Sequence, residues 1–411
     1  MNNLSTKESP FTPGRPVPRE FFVGRLDLIN NLLTHIEYSK NNNNENFILI
    51  GDRGIGKSSL ASLLNYIVNK EREMLGVHIF FGGTSKLDEM VKVLFTSILN
   101  ASTIEKQLLN KIKNVFGNSI SEIGILGLSL KFNPPKEHLK EIVYNLPEAL
   151  ESVIKNISPQ KKGLFLILDD IDNLADNIDF PNWYKSFVDR IGTKYNGKLA
   201  LFSIMICTPD KRDKIYKLQP SINRIFTPIM VERLNDTEVE NFYINAFKTA
   251  KIEIEKDALD SLVFFSGGFP ALMQEIGDSV FWCNKDNIID KNDTMEGIIK
   301  AAENIGKKYL IPNVYRALHS KKYKSILDKI INSKSIITEF TTTEIRKKLT
   351  SDEQKVFHHF LKKFVTLGII ERDTEKERGS YKFVNIIYPI YMHMQFNTKI
   401  KKRHSNEQKR C

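Results

Sequence analysis

The stretch FILIGDRGIGKSSL, residues 47–60, constrains the fold of this chain more than any other part of its sequence. Four consecutive apolar residues at 47–50 predict a buried strand, and apolar residues recurring every three or four positions after Lys57 predict a helix. Between them, the spacing Gly51-x-x-x-x-Gly56-Lys57-Ser58 is the pattern of a phosphate-binding loop, or P-loop, which is confirmed by a preceding strand and a following helix. The sequence therefore predicts an α/β fold with a phosphate site where a strand enters a helix.

The residue types in this loop suit a nucleoside triphosphate. Glycines let successive main-chain N–H groups converge on a phosphate, and the helix N-terminus adds partial positive charge behind them. We expect the Lys57 ammonium to reach the β- and γ-phosphates and the Ser58 hydroxyl to bind Mg²⁺. The predicted ligands are ATP and Mg²⁺. The predicted nucleotide-binding residues of the loop are Gly51, Asp52, Arg53, Gly54, Ile55, Gly56, Lys57, Ser58 and Ser59.

A second predicted strand ends in carboxylates. Residues 164–168, LFLIL, form the continuous apolar run expected of a central strand buried on both faces, and Asp169-Asp170-Ile171-Asp172 follow it. In a P-loop protein, we expect Asp169 to hold Mg²⁺, usually through water, and Asp170 to polarise the attacking water. Acids at a strand end also cap helices, but the P-loop upstream favours the catalytic interpretation.

Two further positions are ambiguous. Thr208 follows the apolar run 199–207 and precedes Pro209. It either contacts the γ-phosphate or the attacking water from the strand tip, or belongs to a Thr-Pro pair that ends the strand. Arg224 is either an arginine finger, supplied to its own site or to a neighbour's, or a solvated surface arginine. The residues themselves leave both alternatives open.

Apolar periodicity and turn residues organise the rest of the chain. The proline-rich residues 1–20 should form an extended arm, and residues 40–46 a polar loop. Glycines and short β-like runs at 117–135 indicate an inserted hairpin or a mobile loop. Residues 235–280 are helical, with Asp236 or Thr237 as N-cap. Further helices are predicted at 26–36, 87–99 and 137–157, and further strands at 77–81, 199–207 and 225–231.

Residues 309–396 have the pattern of a winged helix-turn-helix. Helical segments at 323–331, 342–349 and 351–367 precede two strands joined by the charged turn ERDTEKERGS. Such a module binds duplex DNA through its third helix and its wing, or serves as a structural or protein-contact module. The predicted apolar face of the third helix is Val356, Phe357, Phe360, Leu361, Phe364 and Val365. The basic side chains expected to face phosphates are Lys355, His358, His359, Lys362 and Lys363 on the third helix and Arg372, Lys376, Arg378 and Lys382 on the wing.

The positive charge of the chain is concentrated near its C-terminus. The net charge is +11, and residues 301–411 hold 24 Lys and Arg against 11 Asp and Glu. In residues 1–300 the corresponding numbers are 36 and 38. A concentrated basic module points to nucleic acid or another polyanion, although a solvated lysine-rich face is the usual alternative. We expect the basic tail, residues 397–411, to be disordered and to strengthen any attraction to phosphate.

Cysteine usage and hydropathy bear on location. Cys207, Cys283 and Cys411 are far apart in the sequence and lack the paired spacing of a zinc site. The chain shows no apolar run long enough to span a membrane, and its first residues lack the apolar core of a signal peptide. We expect a cytoplasmic protein without a membrane partner.

Taken together, the motifs resemble a known group. The segment PFTPGRPVPREFFVGRLDLINNL before the P-loop, the DD-x-D acids, the arginine of SINR and the GGFPAL loop resemble the AAA+/STAND P-loop ATPases. The likeness is strongest to prokaryotic members related to archaeal origin-recognition ATPases, which carry a C-terminal winged helix. The resemblance implies that Val23, Gly24 and Arg25 lie near the adenine and that Thr208 occupies the sensor 1 position. It also implies that Arg224 is the arginine finger and that Pro270 closes over the nucleotide from a helical lid.

The resemblance implies a domain order. It comprises an extended arm (1–20), a P-loop ATPase core with a parallel sheet (21–234), a helical lid (235–305), a winged helix-turn-helix domain (306–396) and a basic tail (397–411). Two departures from the group stand out. Many AAA+ enzymes have Glu where Asp170 stands, so hydrolysis should be slow, and Phe269-Pro270 stand where replication initiators place a lid arginine, as in STAND switch ATPases.

These observations predict a slowly hydrolysing ATPase switch whose nucleotide state controls a DNA-binding winged helix. One alternative is a signalling or defence ATPase that forms a homo-oligomer and uses the winged helix for protein contacts. Another is a DNA-bound adaptor in which ATP is mainly structural.

Overall fold

The structure is a computed structural model that describes residues 8–102, 120–123, 129–157, 161–316, 318–332 and 336–408. The described chain divides into two compact units. The first, called here the core unit, is residues 24–232. The second, the C-terminal unit, combines the described residues before 24 with those after 232. The N-terminal arm therefore folds with the regions predicted as lid and winged helix.

The core unit is a parallel sheet flanked by helices. Its strands lie in the order β2-β5-β6-β1-β7, and each neighbouring pair is parallel. An antiparallel hairpin, β3-β4, is attached to it. The strands are β1 (Asn44–Ile50), β2 (Leu75–Phe80), β3 (Ile120–Ile123), β4 (Ser129–Phe132), β5 (Leu164–Asp169), β6 (Leu201–Cys207) and β7 (Thr227–Met230). The helices are α1 (Leu26–Ser39), α2 (Lys57–Glu71), α3 (Leu87–Ser102), α4 (Lys136–Tyr144), α5 (Leu146–Ile157), α6 (Asp179–Tyr195) and α7 (Pro209–Leu218).

The sheet confirms the predicted parallel α/β architecture. Every residue of β5 and β6 is buried, as expected for central strands covered by helices on both faces. Because the strands are parallel, their carboxyl ends meet at one edge, with Ile50 beside Cys207 and Phe80 beside Asp169. The P-loop and the acidic strand end therefore lie on the same edge of the sheet, where open α/β sheets bind ligands.

Several local predictions for the core unit need correction. β1 begins at Asn44, inside the segment predicted as a polar loop, because its amide-rich start pairs with β6 at Leu201. The helix predicted at 137–157 is two helices, α4 and α5, which meet at Asn145. Pro147 supplies the reason, because proline has no N–H to donate to the carbonyl oxygen four residues earlier and is tolerated in the first turn of a helix, where it lies in α5.

The segment predicted as an inserted hairpin or a mobile loop is a hairpin where the structure describes it. β3 and β4 pair antiparallel, while residues 117–119 and 124–128 lie outside the described residues. Phe132 anchors the hairpin because its side chain is fully buried against Phe95, with ring centroids 5.0 Å apart. The Phe132 N–H also donates to the Thr96 hydroxyl of α3 at 3.0 Å.

The C-terminal unit begins with a helical region. Its first N-cap is Asn235, so the predicted cap at Asp236 or Thr237 is wrong by one or two positions. Asn235 and Glu238 form a reciprocal capping box, in which each side chain accepts the other residue's main-chain N–H. The helices of this region are α8 (Asp236–Thr249), α9 (Lys256–Ser266), α10 (Pro270–Cys283) and α11 (Lys291–Ile305), with short strands β8 (Glu253–Ile254) and β9 (Ile288–Ile289).

The N-terminal arm is held by one aromatic residue. Phe11 is buried, and its ring lies 5.8 Å from that of Phe242 and 5.1 Å from that of Phe247. A Cβ at Gly277 would lie 2.3 Å from the Phe11 ring, so the absence of a side chain there leaves room for the aromatic group. Residues 8–18 of the arm contain no helix or strand, and a short 3-10 turn follows at Arg19–Phe21.

The last part of the unit alternates helices and strands after a π-helical segment, Gly306–Tyr315. Its elements are α12 (Lys321–Ile331), β10 (Glu339–Thr341), α13 (Thr342–Arg346), α14 (Ser351–Thr366), β11 (Ile370–Arg372), β12 (Ser380–Phe383) and α15 (Ile387–Gln408). The antiparallel sheet has the order β10-β12-β11. The sequence predicted the pair β11-β12 but missed β10, which is short and leads directly into α13.

Two predictions for this region are wrong. Val365, assigned to the apolar face of the third helix, is 41% exposed, whereas Phe357, Phe360 and Phe364 of that face are buried. The tail predicted to be disordered continues α15 as far as Gln408. Its Lys, Arg, Gln and Glu residues are good helix formers, and they extend a helix already nucleated by buried residues near Ile387.

The cysteines and the apolar character of the helices complete the description of the fold. Cys207 and Cys283 are buried free thiols, and Cys411 lies outside the described residues. None of the helices in the described part of the chain combines the length and apolar character needed to cross a bilayer.

Candidate functional site

The P-loop connects β1 to α2 through backbone conformations that favour glycine. Gly54 and Gly56 have φ angles of 82° and 94°, in the left-handed region. Gly56 is also the N-cap of α2, so the loop ends at the helix N-terminus. A Cβ at Gly51 would lie 3.0 Å from the carbonyl oxygen of Val231, which follows the neighbouring strand β7. The loop therefore has the curvature that brings main-chain amides and a helix N-terminus to one place.

Lys57 lies inside this loop. The residue is 9% exposed, and its ammonium donates to the carbonyl oxygens of Gly51 at 2.7 Å and Asp52 at 2.9 Å. Burial lowers the pKa of the ammonium from its ordinary 10.5, while the negative charges of Asp169 and Asp52 oppose that change. A buried lysine held by neutral carbonyl oxygens is a strong electrostatic partner for a phosphate.

Asp169, the last residue of β5, has both carboxylate oxygens in hydrogen bonds. Oδ1 accepts the main-chain N–H of Asp170 at 2.9 Å, and Oδ2 lies 2.9 Å from Nε2 of His78 on the neighbouring strand β2. The carboxylate is almost fully buried, with 6% of its side chain exposed. Its direction at the sheet edge is therefore set by two neighbours.

The oxygen donors of the site fit Mg²⁺. Ser58, in the first turn of α2, offers a hydroxyl, and Asp169 offers a carboxylate. Oxygen ligands suit this hard cation, which in such sites takes its other ligands from phosphates and water. Among the described residues, no group of three or more His, Cys, Asp and Glu side chains forms a metal cage.

Asp170 is exposed and has an unusual backbone conformation. Its φ of 55° places a non-glycine residue in the left-handed region. A Cβ at Gly82, in the loop after β2, would lie 2.7 Å from Asp170 Oδ2. The carboxylate thus lies against a glycine, and a side chain at that position would displace it.

Arg25 lies at the start of α1 and contacts the P-loop. It is the left-handed N-cap of α1, with φ of 59°. Its guanidinium donates to the carbonyl oxygen of Ile55 in the P-loop at 2.6 Å and to that of Glu232 at 2.8 Å. This side chain therefore binds the main chain of the phosphate loop. Gly24 precedes it with φ of 73°, and the predicted role of both residues beside an adenine stays a prediction.

The remaining predicted site residues are placed as follows. Thr208 is half-buried at the carboxyl end of β6 and is the N-cap of α7, consistent with both interpretations of the sequence. Arg224 is exposed at the end of a 3-10 turn, Pro220–Arg224. Val23 and Pro270, the first residue of α10, belong to the C-terminal unit. The roles of these four residues stay predictions.

Two contacts near the site were not predicted from the sequence. His78 stands inside the strand VHIFF, where period-2 alternation gives no hint of a partner 91 positions away. Asp172 pairs with Arg53 of the P-loop, with 3.1 Å between the carboxylate oxygen and the guanidinium nitrogen. Both contacts depend on the order of the strands in the sheet, which sequence spacing does not show.

The basic side chains of the region predicted as a winged helix differ in their surroundings. Lys355, His358, His359 and Lys362 of α14 are exposed, as are Arg372 and Arg378. Three of the predicted phosphate contacts are engaged in ion pairs. These pairs are Lys355 with Asp352 at 3.2 Å, Lys376 with Glu339 at 2.6 Å and Lys382 with Glu371 at 3.7 Å.

Comparison with known proteins identifies the core. Residues 22–179 match the family model of the AAA ATPase domain. This range contains the P-loop, Asp169 and Asp170, and the match agrees with the resemblance inferred from the motifs.

One curated protein matches over part of its length. An uncharacterised HTH-type transcriptional regulator of Methanocaldococcus jannaschii is 19% identical over 231 residues, which is 54% of this chain. The chain spans about half the length, 52%, of that relative.

Solved structures extend the similarity of fold over most of the chain. The Walker-type ATPase PABY2304 of Pyrococcus abyssi is 14% identical, with a TM-score of 0.59, and the match covers 92% of this chain and 98% of that one. The ORC2 protein of Aeropyrum pernix in ADPNP-ADP complexes is 10% identical, with a TM-score of 0.58, covering 94% and 98%. At these identities the likeness is one of fold, and it confirms the predicted fold, a parallel sheet core with helices.

Proposed function

We propose that this chain is an ATP-binding switch that hydrolyses ATP slowly and whose nucleotide state controls a basic winged-helix module that binds duplex DNA. The observation that carries the proposal is the buried Lys57 ammonium inside a glycine-bounded loop, on the same sheet edge as Asp169. The match of this segment to the AAA ATPase domain supports it.

The chemistry follows from the chain's own residues. The P-loop amides and the N-terminus of α2 would bind the phosphates, with Lys57 exchanging its carbonyl partners for phosphate oxygens. Ser58 and Asp169 would hold Mg²⁺, which neutralises charge on the phosphates when bound. Asp170 would polarise the attacking water. The side chain of aspartate is shorter than that of glutamate and positions the water less well, so we expect slow turnover. Slow turnover suits a switch.

The C-terminal elements support a winged helix. The order α12-β10-α13-α14-β11-β12, with an antiparallel sheet, supplies three helices and a β11-β12 hairpin as the wing. The exposed basic side chains on α14, together with Arg372 and Arg378, would contact phosphates. The name of the M. jannaschii relative, an HTH-type regulator, favours the same interpretation.

One observation favours a second candidate function. Lys376 and Lys382 form ion pairs with Glu339 and Glu371 of the same sheet, which reduces the charge that the wing can offer to DNA. A mixed-charge surface of this kind suits a protein partner. The chain would then be a signalling or defence ATPase that forms a homo-oligomer, in which Arg224 could serve a neighbouring copy, as arginine fingers do.

Nucleotide binding tests the core of the proposal. Lys57→Ala removes a buried charge partner of the phosphates, worth about 2–5 kcal/mol, so ATP affinity should fall about 30-fold or more. Lys70→Ala, at an exposed position on the same helix α2, is the matched control and should bind ATP normally. Unchanged ATP affinity in a folded Lys57→Ala protein would refute the site.

DNA binding tests the module. Duplex affinity should fall steeply with salt, and Arg372→Ala with Arg378→Ala should reduce the salt slope by about one for each phosphate that the variant no longer binds. Lys217→Ala, exposed on α7 of the core unit, is the control. Weak, salt-independent DNA affinity, with assembly on ATP-analogue binding measured by sizing chromatography, would favour the signalling alternative. ATPase rates with and without DNA then show whether the two activities are coupled.

A further inference from the structure

We propose that His78 is a positioning residue, which orients the Asp169 carboxylate for Mg²⁺. The inference rests on the proposed nucleotide site and assigns a role to a side chain that is not part of the P-loop or of the acidic strand end. It is carried by a hydrogen-bonded series of three side chains from three elements: Ser62 of α2, His78 of β2 and Asp169 of β5.

The side chains of Ser62, His78 and Asp169 lie within hydrogen-bonding distance of one another in series, and those of His78 and Asp169 are buried. His78 Nε2 lies 2.9 Å from Asp169 Oδ2, and His78 Nδ1 lies 3.3 Å from the Ser62 hydroxyl oxygen. The His78 and Asp169 side chains are 8% and 6% exposed. On its other side the imidazole stacks on Phe80, with ring centroids 4.2 Å apart and planes inclined by 23°. The ring is thus held in position and in plane by three neighbours.

The series also determines the tautomer of the imidazole. A carboxylate oxygen can only accept, so Nε2 must carry the proton that it donates to Asp169. In the neutral ring, Nδ1 is then an acceptor, and the Ser62 hydroxyl must donate to it. Ser62 therefore has a function distinct from packing, because its hydroxyl favours the tautomer that can bind Asp169.

The consequence for Asp169 is a fixed orientation. Oδ2 receives the His78 hydrogen bond, and Oδ1 receives the Asp170 main-chain N–H, so rotation of the carboxylate about its Cβ–Cγ bond would break both contacts. Each oxygen keeps a further lone pair that can face a metal ion or its water. Partners of this kind, which orient a metal ligand without touching the metal, typically change metal affinity by about 10–100-fold when removed.

The series also joins the two halves of the proposed metal site. Ser62 is on the helix that begins with Lys57 and Ser58, and Asp169 ends the acidic strand. β2 pairs directly with β5, with His78 opposite Ile167, so the imidazole can reach across to Asp169 from the neighbouring strand. His78 thereby links the acidic end of β5 to α2 through hydrogen bonds.

The test measures the Mg²⁺ requirement of nucleotide binding in the full chain. Binding of a fluorescent ADP analogue is followed first without Mg²⁺ and then during a Mg²⁺ titration. In His78→Leu, the Mg²⁺ concentration that gives half of the Mg²⁺-dependent change in ADP-analogue binding should rise about 10–100-fold. The affinity for the ADP analogue without Mg²⁺ should stay at the wild-type level. His78→Gln, whose amide can donate to Asp169, should recover most of the loss.

Two further variants separate positioning from general stability. Ser62→Ala removes one hydroxyl, so it should fold normally and raise the Mg²⁺ requirement in the same direction by a smaller factor. His35→Leu removes another histidine that pairs with a carboxylate, Glu45 at 3.1 Å, and should leave the Mg²⁺ requirement unchanged.

The outcomes distinguish this inference from the proposed function. Wild-type protein that fails to bind nucleotide would refute the nucleotide site itself. Normal wild-type binding combined with an unchanged Mg²⁺ requirement in His78→Leu would refute the positioning role alone. If His78→Leu does not fold, Ser62→Ala decides the question, and a wild-type Mg²⁺ requirement in that variant would refute the positioning role equally.

Discussion

The guanidinium of Arg25 donates a hydrogen bond of 2.6 Å to the main-chain carbonyl oxygen of Ile55, inside the P-loop. The same group donates at 2.8 Å to the carbonyl oxygen of Glu232, the residue at which the core unit ends. Arg25 itself follows the first residue of that unit, Gly24. One side chain therefore ties the phosphate loop to both places where the chain enters and leaves the core unit.

Arg25→Met should weaken this connection. The variant keeps the aliphatic bulk but loses two charge-assisted hydrogen bonds, and because they are partly exposed we expect a destabilisation of about 1–2 kcal/mol together with weaker ADP binding. Thermal unfolding and ADP titration measure both effects. Arg72→Met, at an exposed position in the same unit, is the control. A variant with wild-type melting temperature and ADP affinity would show that the two hydrogen bonds carry no stability.

Gly82→Ala should slow hydrolysis without preventing ATP binding. The added Cβ would lie 2.7 Å from Asp170 Oδ2, so the carboxylate must move from its present position. Asp170→Asn removes the group proposed to polarise the attacking water, so its turnover rate should fall by about 10²–10⁴-fold. The turnover rate of Gly82→Ala should fall toward that of Asp170→Asn. Single-turnover ATP hydrolysis and ATP affinity are measured side by side.

The matched control for this prediction is Gly192→Ala. Gly192 lies within α6, and a Cβ there meets no atom within 4 Å. That variant should hydrolyse ATP at the wild-type rate and gain slightly in stability, because alanine favours the helix. Equal hydrolysis rates for Gly82→Ala and wild type would contradict the assignment of Asp170.

Phe11→Ala should destabilise the C-terminal unit. The ring is buried among Phe242, Tyr243 and Phe247, and truncating a buried phenylalanine typically costs about 3–5 kcal/mol. Urea unfolding monitored by tryptophan fluorescence can report the change through Trp282, which lies in the same unit. Phe264→Ala, at a position 64% exposed, should have little effect. An unshifted unfolding midpoint in Phe11→Ala would mean that the arm contributes no stability.

Glu353 should make the C-terminal unit sensitive to acid. The residue is 5% exposed, and its carboxylate accepts hydrogen bonds from Lys329 of α12 and from the main-chain N–H of Thr350, the N-cap of α14. Burial by itself raises the pKa of this carboxyl, but the hydrogen bonds outweigh burial and lower the pKa from 4.5 to about 2. A depressed pKa stabilises the folded state above the unfolded pKa, and that contribution is lost as the pH falls from about 4.5 toward 2.

The variant Glu353→Gln therefore should melt at a lower temperature at neutral pH and lose less stability than wild type on acidification. Melting temperatures between pH 7 and pH 2 measure this, with Glu375→Gln, at an exposed position in the turn after β11, as control. Parallel pH profiles for Glu353→Gln and wild type would contradict the role of this carboxylate.

Local patterns were sufficient for the parts of the site that are continuous in sequence. The glycine-bounded loop that leads into α2 and the buried strand followed by carboxylates were both predicted and are both present. Strand and helix patterns are repeated every few residues, so a short window contains the information. The same reasoning failed at α4 and α5, where Pro147 outweighed the apolar periodicity, and in the tail, where a preceding helix continued into polar sequence.

The sequence by itself determined the class of the fold, the phosphate loop and the carboxylates at a strand end, because each depends on neighbouring residues. Only the tertiary structure decided which distant residues form hydrogen bonds with the phosphate loop and with these carboxylates. His78 meets Asp169 across 91 positions because β2 pairs with β5, and Arg25 meets Glu232 across 207 positions. Contacts of that range follow from the order of strands in the sheet, which no spacing in the sequence encodes.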